Sequence, residues 1–287
     1  MDKPVAEGQG MQVLSLIRGG QSSATTTAIV FVHGWGCRSS DSKLAFDTFT
    51  QTSANFSYFA VDLPGHGSSP KSICPEPTVT CFATALLRTI EQLDVRDVYL
   101  AGHSMGCRII PQAWKQAHSK KFDIKGLIFL EGSSFRIHPS GGAFEKDLTK
   151  QELVIRRIKA FQQMFSENTP EDFEPKFLEY LSTLDKTYID ALRDDYLRYD
   201  HDQLEDDLAA LGKSGIPMLN LQATNVNERH DRIQLKSGES SRFMDLIQEM
   251  VPQAEQYVVI GSGHFPHIDQ PRRTTQLIAD FIQKHSA

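Results

Sequence analysis

The sequence lacks the features that would mark a membrane, secreted or metal-built protein. Its four cysteines form no CxxC pair, so neither a zinc ribbon nor a redox motif is expected, and scattered thiols are typical of a reducing compartment. No apolar run approaches the roughly 18 residues of a membrane span. The N-terminal MDKPVAEGQG has no apolar signal-peptide segment. No internal repeat or low-complexity tract is present. These absences predict a cytoplasmic protein with no membrane partner.

A strong excess of one charge is also missing. The 287 residues include 30 basic and 36 acidic side chains, for a formal net charge of −6. This balance does not supply the basic surface that nucleic acid or an anionic membrane requires. With 40% hydrophobic and 23% charged residues, the chain can bury a sizeable core without disulfides. We expect one large α/β domain, or a core with an insertion, and a small molecule as its partner. The sequence does not indicate an oligomeric state.

Seven short apolar segments are bounded by turn-forming residues. They are Met11–Ile17, Ala28–Val32, Tyr58–Val61, Val98–Ala101, Leu127–Leu130, Met218–Leu221 and Gln256–Ile260. Their nearly continuous apolar character predicts strands that are buried on both faces, as in a parallel sheet. Helical patterns such as Val79–Leu93 and Phe243–Met250 fall between them. Strands alternating with helices predict βαβ units, with helices on both faces of the sheet.

Residues 144–212 differ from the rest of the chain, because four helix-like stretches follow one another without a strand. The first two cover about Phe144–Phe165 and Glu171–Leu184, and Gly212 is the expected C-cap of the last. Glu145–Gly212 contains 17 acidic and 9 basic residues, which we interpret as a solvated outer face. We therefore predict a core of residues 1–135 and 213–287, and an inserted helical unit of residues 136–212.

The motif Gly102-His103-Ser104-Met105-Gly106 carries the strongest chemical signal. It follows the strand-like Asp97–Ala101 and precedes a helix-like segment. In a strand–turn–helix context, GxSxG places its serine on a tight and strained turn above the sheet edge. The helix N-terminus at that point favours a developing negative charge. The motif predicts that Ser104 is a nucleophile.

Two further loops fit the needs of such a nucleophile. His33-Gly34-Trp35-Gly36 directly follows an early strand, where acyl transfer takes one of its two oxyanion-binding N–H groups. The backbone N–H groups of Trp35 and Met105 are therefore the expected oxyanion hole. Near the C-terminus, Gly263-His264-Phe265-Pro266 follows a strand-like segment, which predicts His264 as the general base. His267 is a competing candidate for that role.

The sequence resembles the α/β-hydrolase superfamily over about residues 11–283. Four motifs carry the resemblance, in this order: HGWG, DLPGHGSS at residues 62–69, GHSMG and GSGHFPH. The resemblance implies an α/β-hydrolase fold: a mostly parallel central sheet, helices on both faces and an inserted all-helical cap at residues 136–212. It also implies that DLPGHGSS is a structural loop near the site.

The resemblance leaves the acid of the triad open. The family usually places it after the strand that follows the cap, where this sequence has Asn225. An asparagine can orient the histidine but cannot stabilise an imidazolium by charge. Some members use an acid directly after the strand before the cap, which is Glu131 here. We predict Glu131 as the acid, with Glu228 or Asp231 as the alternative, and the absence of an acid as the remaining possibility.

We predict two-step acyl transfer through an acyl-enzyme, carried by Ser104, His264 and Glu131 with Trp35 and Met105. The sequence has no HExxH, dinucleotide-binding or P-loop pattern, so no metal or cofactor is expected. Aromatic residues in the cap favour a medium-sized, fairly apolar ester or lactone. Carbon–carbon bond hydrolysis, thioester cleavage and perhydrolysis use the same triad and stay open as alternatives. A ligand receptor on the same scaffold is an alternative from another class.

Overall fold

The computed structural model describes residues 12–19, 27–52, 56–119, 121–133, 149–227 and 231–286. The strands of these ranges are β1 (Leu16–Gly19), β2 (Thr27–Val32), β3 (Ser57–Val61), β4 (Asp97–His103), β5 (Asp123–Leu130), β6 (Met218–Gln222), β7 (Thr224–Val226), β8 (Arg232–Gln234) and β9 (Glu255–Val258). Seven of them form one sheet in the order β1-β3-β2-β4-β5-β6-β9. Only β1 pairs antiparallel in it. β7 and β8 form a separate antiparallel hairpin.

Ten α-helices lie in the described ranges. They are α1 (Lys43–Thr52), α2 (Val79–Ile90), α3 (Gly106–Gln116), α4 (Lys150–Gln162), α5 (Phe173–Thr183), α6 (Lys186–Asp202), α7 (Leu204–Ser214), α8 (Arg242–Met250), α9 (Pro266–Asp269) and α10 (Pro271–His285). Helices α4 to α7 follow one another between β5 and β6, where the sequence predicts an insertion. The division into core and cap at residues 136–212 stays a prediction, and residues 136–148 lie outside the described ranges.

The sheet separates two apolar layers because successive strand residues point to opposite faces. In β2, Val30 belongs to the layer that contains α2 and α3, whereas Phe31 belongs to the layer of α1 and α10. The same alternation places Leu100 and Ala101 of β4 on opposite faces. The predicted α/β architecture, with a mostly parallel sheet covered on both faces, is confirmed. The nearly continuous apolar strands are therefore explained by burial on both sides.

Several predicted boundaries are wrong, and two of them have an instructive outcome. The first strand begins at Leu16 and not at residue 11, which lies outside the described residues. Helix α7 continues past Gly212 to Ser214, and Gly215 takes the left-handed conformation at the C-cap with φ of 71°. Gly212 serves a different purpose, because a side chain there would overlap the carbonyl oxygen of Met250 at the end of α8. A glycine near a helix end thus marks close packing here and not the end itself.

The prediction of four separate thiols is also wrong. Cys74 and Cys81 form a disulfide between a short 3-10 turn and the first turn of α2, with their Cα atoms 6.1 Å apart. Cys37 and Cys107 are free and buried. The predicted cytoplasmic location therefore loses its support from cysteine usage and stays a prediction. Within the described ranges, no helix combines the length and the apolar character needed to cross a membrane.

Candidate active site

Ser104 stands on the turn between β4 and α3. Its φ of 51° lies in the left-handed region that non-glycine residues rarely adopt. The flanking glycines allow this turn, because a Cβ on Gly102 would overlap the backbone of Gly106, and one on Gly106 would overlap the carbonyl oxygen of Val32. The Ser104 N–H donates to the Leu130 carbonyl at 3.0 Å, which keeps the turn attached to the neighbouring strand. The side chain is therefore presented from a rigid support.

The three residues predicted as a triad lie in one chain of contacts. Ser104 Oγ is 3.0 Å from His264 Nε2, and His264 Nδ1 is 3.1 Å from Glu131 Oε2. His264 is 5% exposed and Glu131 is fully buried. When Nδ1–H donates to the carboxylate, Nε2 is left as the acceptor for the serine hydroxyl proton. The arrangement places a hydroxyl, an imidazole and a carboxyl group in series.

Glu131 is held by donors from the hairpin of β7 and β8 and from Ala223 directly before it. Oε1 accepts the backbone N–H groups of Ala223 and Thr224, each at 2.6 Å, and Oε2 accepts the Thr224 hydroxyl at 2.8 Å and Arg232 Nη1 at 3.1 Å. Burial raises the pKa of Glu131, while Arg232 and these hydrogen bonds offset part of the rise. The backbone of Glu131 is also left-handed, with φ of 50°. The carboxylate is thus fixed in position and in orientation towards His264.

The alternative acids do not share this position. Asn225 lies on β7, and its side-chain oxygen accepts the Arg242 N–H at 3.4 Å. The Asp231 carboxylate forms an ion pair of 2.6 Å with Lys159 of α4. Glu228 lies outside the described residues. Of the carboxylates whose contacts are described, Glu131 is the one in contact with His264.

Trp35 and Met105 border the cavity into which Ser104 opens. Among the described residues, neither backbone N–H donates to a protein acceptor. The Trp35 indole N–H donates to the Ile189 carbonyl of α6 at 3.0 Å, so this loop is tied to the inserted helices. Two such N–H donors on the same cavity as a serine hydroxyl are the arrangement that a tetrahedral oxyanion requires.

The loop that carries His264 is fastened to the segment between α4 and α5. The His264 N–H donates to the Met164 carbonyl at 2.7 Å, and the Gly263 N–H donates to Asp269 Oδ2 at 2.7 Å. Asp269 also accepts the Thr169 hydroxyl at 2.7 Å. Gly263 is required there, because a side chain would overlap the Met164 carbonyl oxygen. The inserted segment therefore helps to hold the imidazole in place.

Sequence reasoning missed Arg108 and Asp200. Arg108 of α3 forms a bidentate ion pair with Asp200 of α6, with N–O distances of 2.7 and 2.6 Å, and both side chains are buried. Arg108 also donates to the Ser104 carbonyl at 3.1 Å and to the Ser133 carbonyl at 3.0 Å. The sequence did contain a signal for this ion pair, because Arg108 lies within the apolar run of α3 and buried arginines are nearly always paired. The partner could not be identified from the sequence.

Sequence reasoning also missed Arg232. This residue begins β8, where it pairs with Val226 of β7, and its backbone N–H donates to the Gln163 side chain at 3.0 Å. The guanidinium reaches Glu131 and borders the cavity. Burial lowers the pKa of Arg232, and the nearby Glu131 opposes that shift. No motif marks Arg232, because its place depends on the register of a two-stranded hairpin.

The cavity beside Ser104 has a volume of about 180 Å³. Its walls combine residues of the sheet edge with two from the inserted helical region, Met164 and Tyr196. Most of the predicted cap aromatics pack elsewhere. Four of them form a cluster with Phe265, namely Phe161, Phe165, Phe173 and Phe177. Tyr188 is buried, with its hydroxyl on the Cys74 carbonyl, and Phe144 lies outside the described residues.

Four buried histidines surround the site, and burial lowers the pKa of each one. They are His33, His66, His103 and His267, and the pKa of His66 falls to about 4. His103 Nε2 lies 2.8 Å from the His264 carbonyl, so a neutral His103 can hold the loop that carries His264. His267 makes a ring contact with His103 and lies outside the chain of triad contacts. In the described part of the chain, no three or more His, Cys, Asp or Glu side chains form a group that could hold a metal ion.

Comparison with known proteins agrees with this fold. The model of the Alpha/beta hydrolase family matches residues 29–277. A Mycoplasma genitalium protein named as an esterase/lipase is 29% identical over 151 residues, which are 50% of this chain and 51% of that protein. The chain thus spans about half the length of the curated relatives it matches.

Solved structures resemble nearly the whole chain. MenH from S. aureus aligns with a TM-score of 0.69 and 19% identity, covering 95% of this chain and 99% of that one. Est816, described as an N-acyl homoserine lactone degrading enzyme, aligns with a TM-score of 0.67 and 17% identity, covering 93% and 96%. At these identities the likeness concerns the fold. Together with the family match, it shows that the chain belongs to the α/β-hydrolase family and has esterase/lipase-like relatives.

Proposed function

We propose that this protein is a serine hydrolase that cleaves a carboxylic ester or a lactone of a small molecule. The observation that carries the proposal is the series of contacts from Ser104 Oγ to His264 Nε2 and from His264 Nδ1 to Glu131 Oε2. The left-handed turn at Ser104 supports the same chemistry, and so do the N–H groups of Trp35 and Met105, which donate to no acceptor in the described part of the chain.

In the first step, Ser104 Oγ attacks the substrate carbonyl carbon and its proton passes to His264 Nε2. The carbonyl oxygen becomes an oxyanion, which accepts hydrogen bonds from the N–H groups of Trp35 and Met105. The Glu131 carboxylate stabilises the imidazolium that forms. Because Glu131 is buried and held by fixed donors, its charge acts on His264 through a medium of low polarity.

In the second step, the tetrahedral intermediate collapses and His264 returns the proton to the departing alkoxide. The acyl group stays bonded to Ser104 Oγ. A water molecule then gives its proton to His264 and attacks the acyl carbon, and a second oxyanion forms in the same hole. Its collapse releases the acid and restores the serine hydroxyl.

The volume of the cavity beside Ser104 indicates the size of the substrate. A cavity of about 180 Å³ is smaller than the range of about 300–1,000 Å³ that is typical of small-molecule sites. We therefore expect a short acyl group, at the lower end of the medium size that the sequence predicts. The names of the Mycoplasma relatives and of Est816 support an ester or lactone bond as the target.

Pre-steady-state hydrolysis of p-nitrophenyl acetate, butyrate and octanoate tests this proposal. The wild type is expected to release a burst of p-nitrophenol and to favour the two shorter esters, and Ser104→Ala is expected to abolish the burst. Ser133→Ala is the matched control, because this second cavity serine has no contact with His264 among the described residues and should retain the burst. A burst that survives in Ser104→Ala would contradict the assignment of the nucleophile. Absence of turnover with these esters and with a panel of lactones would contradict ester-bond hydrolysis.

A further inference from the structure

Arg232 brings a positive charge into the wall of the proposed active site. Its Nη1 is 3.1 Å from Glu131 Oε2 and 2.6 Å from Thr224 Oγ1. The side chain is 17% exposed and borders the same cavity as Ser104 and His264. The hairpin that carries it is fastened to α4 through the Gln163 side chain and the Lys159–Asp231 ion pair. The guanidinium is therefore held at the cavity and not in bulk water.

Three of the five N–H donors of the Arg232 guanidinium have no acceptor within the described ranges. Both described side-chain bonds use Nη1, and within the described ranges Nε and Nη2 donate to no acceptor. Nε and Nη2 form the edge of the guanidinium that binds a carboxylate with two parallel hydrogen bonds. Arg108, the other arginine of the cavity wall, differs in this respect, because its Nε and Nη2 edge is occupied by Asp200.

The position of Arg232 also has a cost for the proposed chemistry. The Glu131 carboxylate is expected to stabilise an imidazolium at His264, and a guanidinium on the same carboxylate oxygen opposes that effect. A second anion on the free edge of Arg232 would compensate its charge. Glu131 would then act on His264 with less opposition at the moment when substrate is bound.

We infer that Arg232 binds a carboxylate of the substrate, so that the preferred substrate is a small ester or lactone that also carries a free carboxylate. This inference rests on the proposed ester hydrolysis at Ser104. It replaces the fairly apolar substrate that the sequence predicts by an anionic one. The bond that is cleaved and the proton transfers stay as described above, and the carboxylate contributes binding and charge compensation only.

Two pairs of unactivated esters test the inference, and hydrolysis is followed by pH-stat titration. Monoethyl succinate and ethyl butyrate differ by a carboxylate in place of a methyl group on the acyl side. O-acetylglycolate and ethyl acetate differ in the same way on the alcohol side. In at least one pair, the wild type should show a kcat/KM for the charged ester that is about tenfold or more above that for the neutral one, as expected for a charge-assisted bidentate contact.

Arg232→Gln should lower kcat/KM for the charged ester about tenfold or more relative to the neutral ester, so that the preference is lost whatever the change in neutral-ester turnover that follows from the contact with Glu131. The matched control is Arg242→Gln, which removes an equal charge from a neighbouring cavity that Arg232 also lines, whereas Arg242 is not among the residues that line the cavity of Ser104. This control should keep the preference. An equal loss for charged and neutral esters in Arg232→Gln would overturn the inference, because it would show that Arg232 only positions Glu131. A wild type without preference in both pairs would overturn it as well.

A binding measurement separates this inference from the proposed function. In Ser104→Ala, calorimetric titration should show that the charged member of at least one pair binds about tenfold more tightly than its neutral counterpart, and adding Arg232→Gln should remove the difference. Selective binding without hydrolysis by the wild type would leave the carboxylate site standing and contradict the proposed reaction. Equal binding within both pairs would overturn the carboxylate site, whether or not the esters are hydrolysed.

Discussion

Ser104 and Glu131 adopt the same left-handed backbone conformation at the ends of two adjacent parallel strands, with φ of 51° and 50°. The Ser104 N–H donates to Leu130 at 3.0 Å, and the Glu131 N–H donates to Leu221 at 2.8 Å. Each residue thus extends the hydrogen bonding of the sheet while turning its side chain towards His264. Non-glycine residues held in this conformation are found mainly where the surrounding structure enforces it, and such strain concentrates at functional sites.

Glu131→Gln is expected to lower kcat by about 10³- to 10⁴-fold, because a neutral amide can hold the imidazole but cannot stabilise its charged form. The measurement is turnover of p-nitrophenyl butyrate, with the melting temperature as a check on folding. The matched control is Asp231→Asn, because this alternative acid pairs with Lys159. Near wild-type turnover in Glu131→Gln, together with a large loss in Asp231→Asn, would move the acid to the later loop.

Asp200→Asn is expected to lower the free energy of unfolding by about 3 kcal/mol, because it leaves the buried Arg108 guanidinium without a charged partner. Urea unfolding of the two proteins measures the difference. Asp47→Asn is the control, since it removes one partner of the exposed Lys43–Asp47 pair and should change stability much less. Equal stability of Asp200→Asn and the wild type would show that the pair is not needed to keep α3 and α6 together.

The free energy of unfolding should fall as the pH is lowered from 7.5 to 5.5. The pKa values of four buried histidines, His33, His66, His103 and His267, lie below the usual 6.5 in the folded protein. The unfolded chain therefore takes up protons below about pH 6.5, whereas folded His66 does so only near its pKa of about 4. Each such histidine contributes a loss of about 1.4 kcal/mol over the whole interval from pH 7.5 to 5.5.

Two carboxyl groups oppose that trend, because burial raises the pKa of Asp41 and of Glu131. A raised pKa makes the folded state bind more protons than the unfolded one, which favours folding as the pH falls. Because two such carboxyl groups oppose four histidines, the free energy of unfolding should still fall as the pH is lowered. Urea unfolding at pH 7.5, 6.5 and 5.5 measures it, and His66→Gln should reduce the slope. A stability that is flat or rises towards pH 5.5 would contradict the prediction.

Reduction of the Cys74–Cys81 disulfide should lower the free energy of unfolding by about 2–3 kcal/mol, as expected for closing a loop of about eight residues. The paired variant Cys74→Ser with Cys81→Ser should show the same loss without a reductant. A thiol assay on the denatured, unreduced protein should count two free thiols, those of Cys37 and Cys107. A count of four would show that the bridge is absent from the isolated protein, and the stability difference should then vanish.

The strands and the positions of the proposed nucleophile and base could be predicted because their signals are local. The turn at Ser104 needs Gly102 and Gly106, each only two residues away, because a Cβ at either glycine would meet backbone atoms. His264 follows a strand-like segment in a loop of small residues. The boundary at Gly212 could not be predicted, because its reason is the carbonyl oxygen of Met250, which is distant in the sequence.

The sequence by itself determined the α/β layering, because apolar strands that alternate with amphipathic helices can bury their surfaces only in such layers. It also determined the residue types of the candidate triad. Only the tertiary structure decided that Glu131 and not Asp231 meets His264, that Arg108 pairs with Asp200, and that Arg232 enters the cavity. The contacts Glu131–His264 and Arg108–Asp200 join side chains that are 92 or more residues apart in the sequence. The position of Arg232 depends on the register of the hairpin of β7 and β8. Such contacts follow from the packing of whole elements, which no local pattern records.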